Sequence, residues 1–352
     1  MRISLPQLAV LLLVAVTAAT LPASSRGDGT LPRIKLFTTG GTIQSKGSHR
    51  LKLSDYSDGK VAPQELLDDL PELKTLAEVE LVEISNKGSD AIGAPELLSL
   101  AKQLTVELAR PDITGAVVTH GTSTLEETAY FLQLTVKSDK PVVVVGSMRP
   151  FTAISRDGPL NLYNAVRTAI TPEAKGKGVL VVLNDTIHSA RFVTKNHTSH
   201  VETFVDREIG PLGYTDSDRV VFYRTPLTRH TSHSEFDVSK LQSLPQVDIV
   251  YGYQEASPAS VTGLVAAHAQ GLVLNSAASS YLPALLAARA KGIVIVASDR
   301  KGAGRVTLSP KGPADGFITA DNLNAQKARI LLRLALTTTH DPVQIQRMFN
   351  EY

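Results

Sequence analysis

Two short turns carry hydroxyl side chains where a sheet would present them to a ligand. The first, Thr38-Thr-Gly-Gly-Thr42, directly follows the apolar run 34–37. Its glycine pair lets the backbone turn tightly and approach a ligand, while offering the Thr42 hydroxyl and neighbouring N–H groups. The second, Thr119-His-Gly-Thr-Ser-Thr124, follows the run 115–119. There Ser123-x-x-Glu126 reads as a capping box that starts a helix and sets Thr122 at its positive dipole end. Two Thr-bearing turns at the carboxyl ends of one sheet suit amide hydrolysis, one Thr as nucleophile and the other helping to activate it. Plainer readings stay open: a phosphate-binding or simple βα turn for the first, helix capping alone for the second. A Walker loop and the dinucleotide G-x-G-x-x-G pattern are both missing. A nucleophilic Thr also needs a base. Lys195 follows the run 179–183, and partial burial there would depress its pKa enough to accept a hydroxyl proton. From composition alone it reads as a solvated lysine.

The elements that must hold these turns are short apolar runs at 34–37, 115–119, 141–145 and 178–183, alternating with helical patterns. Leu125, Ala129, Leu132 and Val136 fall on one helix face, and 95–108 and 159–170 read as helical too. Near-continuous apolar strands suit a mainly parallel sheet covered on both faces, and the alternation makes the chain α/β. The second half repeats the style with strands at 247–251, 271–274 and 292–296 and helices at 322–336 and 343–349. Residues 208–237 are rich in Gly, Pro, Thr, Ser and His and read as a connection. The expected organisation is a larger N-terminal domain over 31–207, a linker over 208–243 and a smaller C-terminal α/β domain over 244–352.

Composition narrows the function classes. The 352 residues are 43% apolar and 20% charged, which excludes wholesale disorder and a multi-span membrane protein. A formal charge of +2 with 5% aromatics gives no nucleic-acid footprint. The absence of cysteine removes disulfides, thiolate catalysis and Cys-ligated metals. Residues 1–25 read as a secretory signal peptide: one early Arg, the apolar run 8–16 and a small-residue segment, with cleavage between Ala19 and Ser25. The run falls short of the roughly 20 residues a membrane span needs. The expectation is therefore a periplasmic or secreted protein, free of the membrane after cleavage. His197-Thr-Ser-His200 and His230-Thr-Ser-His233 are two H-x-x-H pairs that could bind zinc, but both lie in polar loop sequence.

Taken together, Thr39-Gly-Gly-Thr-Ile43 and Thr119-His-Gly-Thr-x-Thr-x-Glu-Glu-Thr128 resemble the bacterial L-asparaginase/glutaminase family, its exported members above all. The likeness continues in order through 140–150, 157–165, Asn184-Asp-Thr, Gly210-Pro-Leu-Gly-Tyr214, Phe236-Asp-Val and Asn324-Ala-Gln-Lys-Ala-Arg329. It implies a two-domain asparaginase-like fold and an amidohydrolase that releases ammonia from an amino-acid amide. It also implies no metal or organic cofactor, and a homotetramer whose sites are completed by a neighbouring C-terminal domain. Thr42 matches the nucleophile on a mobile N-terminal loop, Tyr56 its tyrosine partner, and Thr122 and Lys195 the second threonine and the lysine. Ser89 matches the serine that holds the substrate α-carboxylate, with Asp90 beside it.

Three departures cluster around the substrate's α-ammonium. The family has aspartate where this chain has Ser123. The loop 300–314, where the resemblance implies a glutamate, lacks one up to Ala314, and Asn275-Ser-Ala-Ala-Ser-Ser-Tyr281 replaces a Gly- and Asn-containing stretch. An asparaginase with a weaker ammonium site, one that takes an Nα-substituted asparagine such as a sugar adduct, and a catalytically silent periplasmic amino-acid-binding protein all fit this pattern.

Overall fold

Val142-Val-Val-Val145 shows how the large sheet is built. Four consecutive β-branched residues favour an extended strand, and alternation sends neighbours to opposite faces. Val142 and Val144 join one core while Val143 and Val145 join the other, all four fully buried. Both faces must therefore be covered by helices.

A computed structural model describes residues 30–307 and 316–352. The expected signal peptide lies outside the described residues, as does 308–315 of the loop after residue 300. In chain order the first part supplies β1 (Arg33–Gly40), α1 (Pro63–Asp68), β2 (Glu78–Lys87), α2 (Ala94–Ala109), β3 (Ile113–Thr119), α3 (Leu125–Thr135), β4 (Val142–Val145), α4 (Gly158–Ile170) and β5 (Val179–Leu183). Short strands follow: β6 (Thr186–Ser189), β7 (Val193–Lys195), β8 (Phe204–Asp206), β9 (Gly213–Thr215) and β10 (Val220–Phe222). One eight-stranded sheet runs in the order β10-β9-β6-β5-β4-β3-β1-β2. Its β2-β1-β3-β4-β5 half is parallel; β6, β9 and β10 add antiparallel strands. The hairpin β7–β8 stands apart as a separate antiparallel pair.

From β1 the chain crosses to β2 on one side and returns on the other as β3. The crevice beyond the carboxyl ends of β1 and β3 is thus a topological switch point, where open α/β sheets bind ligands. Helices α2 and α3 cover one face and α1 and α4 the other.

The smaller half comprises β11 (Val247–Tyr251), α5 (Ala259–Ala266), β12 (Gly271–Asn275), α6 (Leu282–Ala290), β13 (Val294–Ser298), β14 (Ile318–Thr319), α7 (Ala325–Ala335) and α8 (Pro342–Glu351). Its four strands are parallel in chain order. Helices α5 and α6 pack on one face, while α7 and α8 on the other share a continuous core with α3 of the first half. Residues 31–352 form one compact unit. Strands β9 and β10 fall inside the segment expected as a linker and extend the large sheet, and Phe236 and Val238 further along it are buried in the shared core. No described helix is long and apolar enough to cross a membrane.

Gly115 in β3 lets α4 close onto the sheet: a Cβ there would lie 2.7 Å from the Ala169 carbonyl oxygen. Gly115→Ala should therefore destabilise the protein by about 1–3 kcal/mol through overpacking. Urea unfolding measures this; an unchanged midpoint would show that the helix does not sit so close.

Candidate active site

Three turns meet at the switch point, and glycine is what lets them meet. Gly41 has φ +82°, a left-handed backbone that favours glycine, and a Cβ on it would stand 2.2 Å from the Gly121 Cα. A Cβ on Gly121 would lie 2.9 Å from the Ser89 Cβ. The backbones after β1 and β3 thus touch directly, and the 3-10 turn Ser89–Ala91 closes on them. Hydrogen bonds lock the contact: Thr39 Oγ1 donates to the Thr119 carbonyl (2.9 Å), and Thr124 Oγ1 to that of Ser89 (2.8 Å).

Thr42 opens the 3-10 turn Thr42–Gln44 and is half-buried. That turn is held from below by Gln44, whose Oε1 accepts from Gly40 N (3.1 Å), and by Ser45 Oγ donating to the Gly41 carbonyl (2.9 Å). Tyr56 comes from the loop after this turn. Its hydroxyl donates to the Met148 carbonyl (3.1 Å), and Thr42 is among the groups that influence its proton affinity. Asp157 fixes the Met148 turn by accepting from Met148 N (2.8 Å) and Arg149 N (2.9 Å). Burial, the largest influence, raises the Tyr56 pKa, so the phenol is neutral near pH 7.

Thr122 is buried, and Lys195 Nζ donates to its Oγ1 at 2.8 Å. Lys195 ends β7, opposite Phe204 of β8, and burial lowers its pKa from the ordinary lysine value. Desolvation penalises the ammonium, which favours a neutral amine able to take a proton. The structure thus brings Thr42, Tyr56, Thr122, Lys195 and Ser89 to the crevice, with Asp90 exposed at its rim on the Ser89 turn.

One local expectation is corrected. Thr124 rather than Ser123 occupies the position before α3, and it makes no side-chain cap bond. Ser123 is exposed. Glu126 is not a capping partner because a buried cation draws it away: its carboxylate lies 3.6 Å from Lys327 Nζ and accepts from Asn324 Nδ2 at 3.3 Å.

Sequence reasoning quoted His120 without giving it a task. The ring is fully buried between Gly121 and Thr128. The Gly121 carbonyl can only accept, so Nδ1 carries the proton (2.8 Å), and Nε2 accepts from Thr128 Oγ1 (2.9 Å). Burial pushes its pKa down to about 4, so the ring is a neutral strut beneath Thr122. The H-x-x-H pairs do different work. His197 and His200 stack at 3.6 Å, His197 Nδ1 accepts from the Ser199 and His200 N–H groups, and His230 Nδ1 pairs with Thr231 Oγ1.

Comparison with known proteins identifies the family. The family described as "Asparaginase, N-terminal" matches residues 33–228, and "Glutaminase/Asparaginase C-terminal domain" matches 246–349. L-asparaginase 2 of Bacillus subtilis (strain 168) is 47% identical over 343 residues, covering 96% of this chain and 91% of its own. L-asparaginase 2 of Escherichia coli (strain K12) is 45% identical over 329 residues, 92% of this chain and 94% of its own. The crystal structure of the probable cytoplasmic L-asparaginase from Campylobacter jejuni superposes with a TM-score of 0.87 at 43% identity, covering 91% of this chain and 99% of that one.

The buried His120 makes stability depend on acid. Its folded pKa of about 4 lies below the ordinary 6.5, so between those values the unfolded chain binds more protons. Its contribution is complete above about pH 6.5 and is lost as pH falls toward 4, amounting to about 3 kcal/mol at most. Unfolding free energies at pH 7 and 4.5 should fall further for the natural protein than for a non-titrating His120→Gln variant. Equal losses would exclude a buried neutral ring.

Proposed function

The chain belongs to the asparaginase/glutaminase family and is an amidohydrolase; from that premise we propose that it releases ammonia from the side-chain amide of asparagine or an Nα-substituted asparagine. One observation carries the reading: a half-buried lysine bonded at 2.8 Å to a buried threonine, in the same glycine-closed crevice as Thr42 and Tyr56. A solute-binding protein needs a cleft but has no use for a half-buried lysine, its proton affinity lowered by burial, bonded to a buried threonine hydroxyl.

In the proposed reaction the Thr42 oxygen attacks the side-chain carbonyl, and its proton passes to the neutral Tyr56 phenol as that phenol releases its own toward the leaving nitrogen. Ammonia departs as the carbonyl re-forms on an acyl-Thr42 ester. The Thr122–Lys195 pair takes a proton from water as the water attacks the ester carbonyl. The ester C–O bond then breaks to release the free acid, and the pair gives that proton to the departing Thr42 oxygen, restoring its hydroxyl. Backbone N–H groups of the two turns hold the oxyanion; that of Gly41 is committed to the Lys87 carbonyl (3.0 Å), so the donors lie elsewhere in the turns. Ser89 holds the substrate α-carboxylate, with Asp90 and Ser123 lining the amino end.

The amino end favours a substituted nitrogen. Ser123 is an exposed neutral hydroxyl that can bond an uncharged group but cannot pair with an ammonium. Two basic side chains of the loop after Ser298 already have carboxylate partners of their own, Lys301 with Asp299 (2.9 Å) and Arg305 with Asp321 (2.5 Å), and Arg300 donates to the Gly252 carbonyl (3.3 Å). They therefore offer less to an anionic substituent than their charges alone suggest. Export and a homotetramer completed across subunits are part of the same proposal. The first rests on the N-terminal sequence, the second on the family resemblance.

Two measurements test the reading. Thr42→Ala should lower turnover by several orders of magnitude with folding intact, whereas near-normal ammonia release would remove Thr42 as nucleophile. Free asparagine lacks the carboxylate partner that the family places at residue 123, worth about 1.5–3 kcal/mol as a charged hydrogen bond, or about tenfold or more in kcat/KM. Ser123→Asp should accordingly shift the kcat/KM ratio toward free over glycated or acylated asparagine by about that factor. A natural protein that strongly prefers free asparagine, with no shift in the variant, would leave an ordinary asparaginase.

A further inference from the structure

Lys327 is 2% exposed in α7, and its ammonium crosses the junction between the two halves. Nζ donates to the Arg191 carbonyl at 3.0 Å and, at shorter range, to the Val193 carbonyl. Glu126 Oε2 of α3 stands 3.6 Å away, and Asn324, which caps α7, donates to that same oxygen. Asp206 adds negative and Arg191 positive charge around the ammonium. Val193 begins the three-residue strand that ends in Lys195, and Glu126 lies in the first turn of the helix that starts three residues after Thr122.

We propose that Lys327 is a positioning residue for the reaction: a buried ammonium that clamps the strand carrying Lys195 and the helix following Thr122 into one register, so that their side chains meet. Among the described residues strand β7 pairs with β8 alone, so two of its neighbourhood's carbonyls take their donor from Lys327 rather than from a sheet. A buried ion pair is weak as a stabilising device, because apolar replacements of similar volume are often neutral or better. What it supplies here is direction. An apolar side chain could fill the space, but it could not fix two carbonyls and a carboxylate on different segments at once. The catalytic pair of the N-terminal half is thereby referenced to the C-terminal half within one chain. This inference rests on the reading of Thr122 and Lys195 as a proton-transferring pair.

The test compares Lys327→Met, the double variant Glu126→Gln/Lys327→Met and Lys195→Met, with thermal melting to confirm folding. The double variant leaves no unpaired carboxylate, so it keeps the test open should the single one fail to fold. In folded Lys327 variants kcat should fall about 100-fold, the scale of an ångström-sized misplacement, with KM within about threefold. The acid limb of the kcat profile should also move to higher pH as Lys195 loses its desolvated seat. A folded Lys327 variant with kcat near normal, or with loss only in KM, overturns the proposal, as does failure of both variants to fold, which would make Lys327 a determinant of stability alone. If Lys195→Met itself leaves kcat intact, the catalytic pair is wrong; if it abolishes turnover while the Lys327 variants do not, only the positioning role falls.

Discussion

The backbone contact between Gly41 and Gly121 sets the distance between the two halves of the crevice. Strands β1 and β3 are hydrogen-bonded neighbours, and Thr38 and Thr119 are Cα partners at their ends. The chains leaving them would normally be spread by side chains. With no Cβ on either glycine the two backbones close to contact, which draws Thr42 and Thr122 onto the same crevice. Ser89 packs against Gly121 from the third turn for the same steric reason. Even a methyl group on Gly41 would face both an unfavourable φ and a clash with backbone, which cannot rotate away.

Around that contact, burial rather than charge pairing tunes the proton affinities of the gathered groups. It lowers the pKa of Lys195, raises that of Tyr56 and holds His120 neutral. All three shifts favour uncharged forms, which suits chemistry that moves protons between hydroxyl, amine and amide. Full charges are kept one layer back. Arg191, only 5% exposed, ties the end of β6 to the C-terminal half through the Tyr352 carbonyl (2.6 Å) and Asn322 (2.6 Å). Lys327 does the same for β7. Charge thus fixes the frame, and the desolvated crevice sets the proton affinities.

The amino end of the crevice is where this chain departs from the family pattern. Ser123 is exposed and engaged in no cap. A site with its hydrolytic groups gathered and its ammonium partners reduced separates two properties that one aspartate would otherwise serve. On the proposed function, bond cleavage rests on the glycine-closed turns and substrate choice on what stands at residue 123.

The sequence alone carries the parallel half of the fold, because β1, β3, β4 and β5 are apolar runs buried on both faces and need no context to be read. Strand β2 escapes that reading: Glu78-Val-Glu-Leu-Val-Glu alternates as a half-exposed edge strand does, and its partner is fixed only by pairing with β1. Strands β6 to β10 are three or four residues each, too short for periodicity. A turn at residues 184–185 folds β6 back onto β5, β9 and β10 extend the sheet from β6, and β7 and β8 pair only as a separate hairpin among the described residues. The two Thr turns were legible as strand-end turns, with plain βα and capping readings open beside a catalytic one; their place in a family pattern that runs along the whole chain singled out the catalytic reading. Ser123–Glu126 has the spacing of a capping box, yet Glu126 turns to a cation about 200 residues away in sequence, a competitor that local spacing does not contain. Lys195 by itself reads as a surface lysine. Its lowered proton affinity and its bond to Thr122 exist only because a hairpin buries it against a turn 73 residues earlier. Local chemistry determines which side chains are present and which backbones can turn; desolvation and long-range pairing, properties of the packed chain, decide which of them can react.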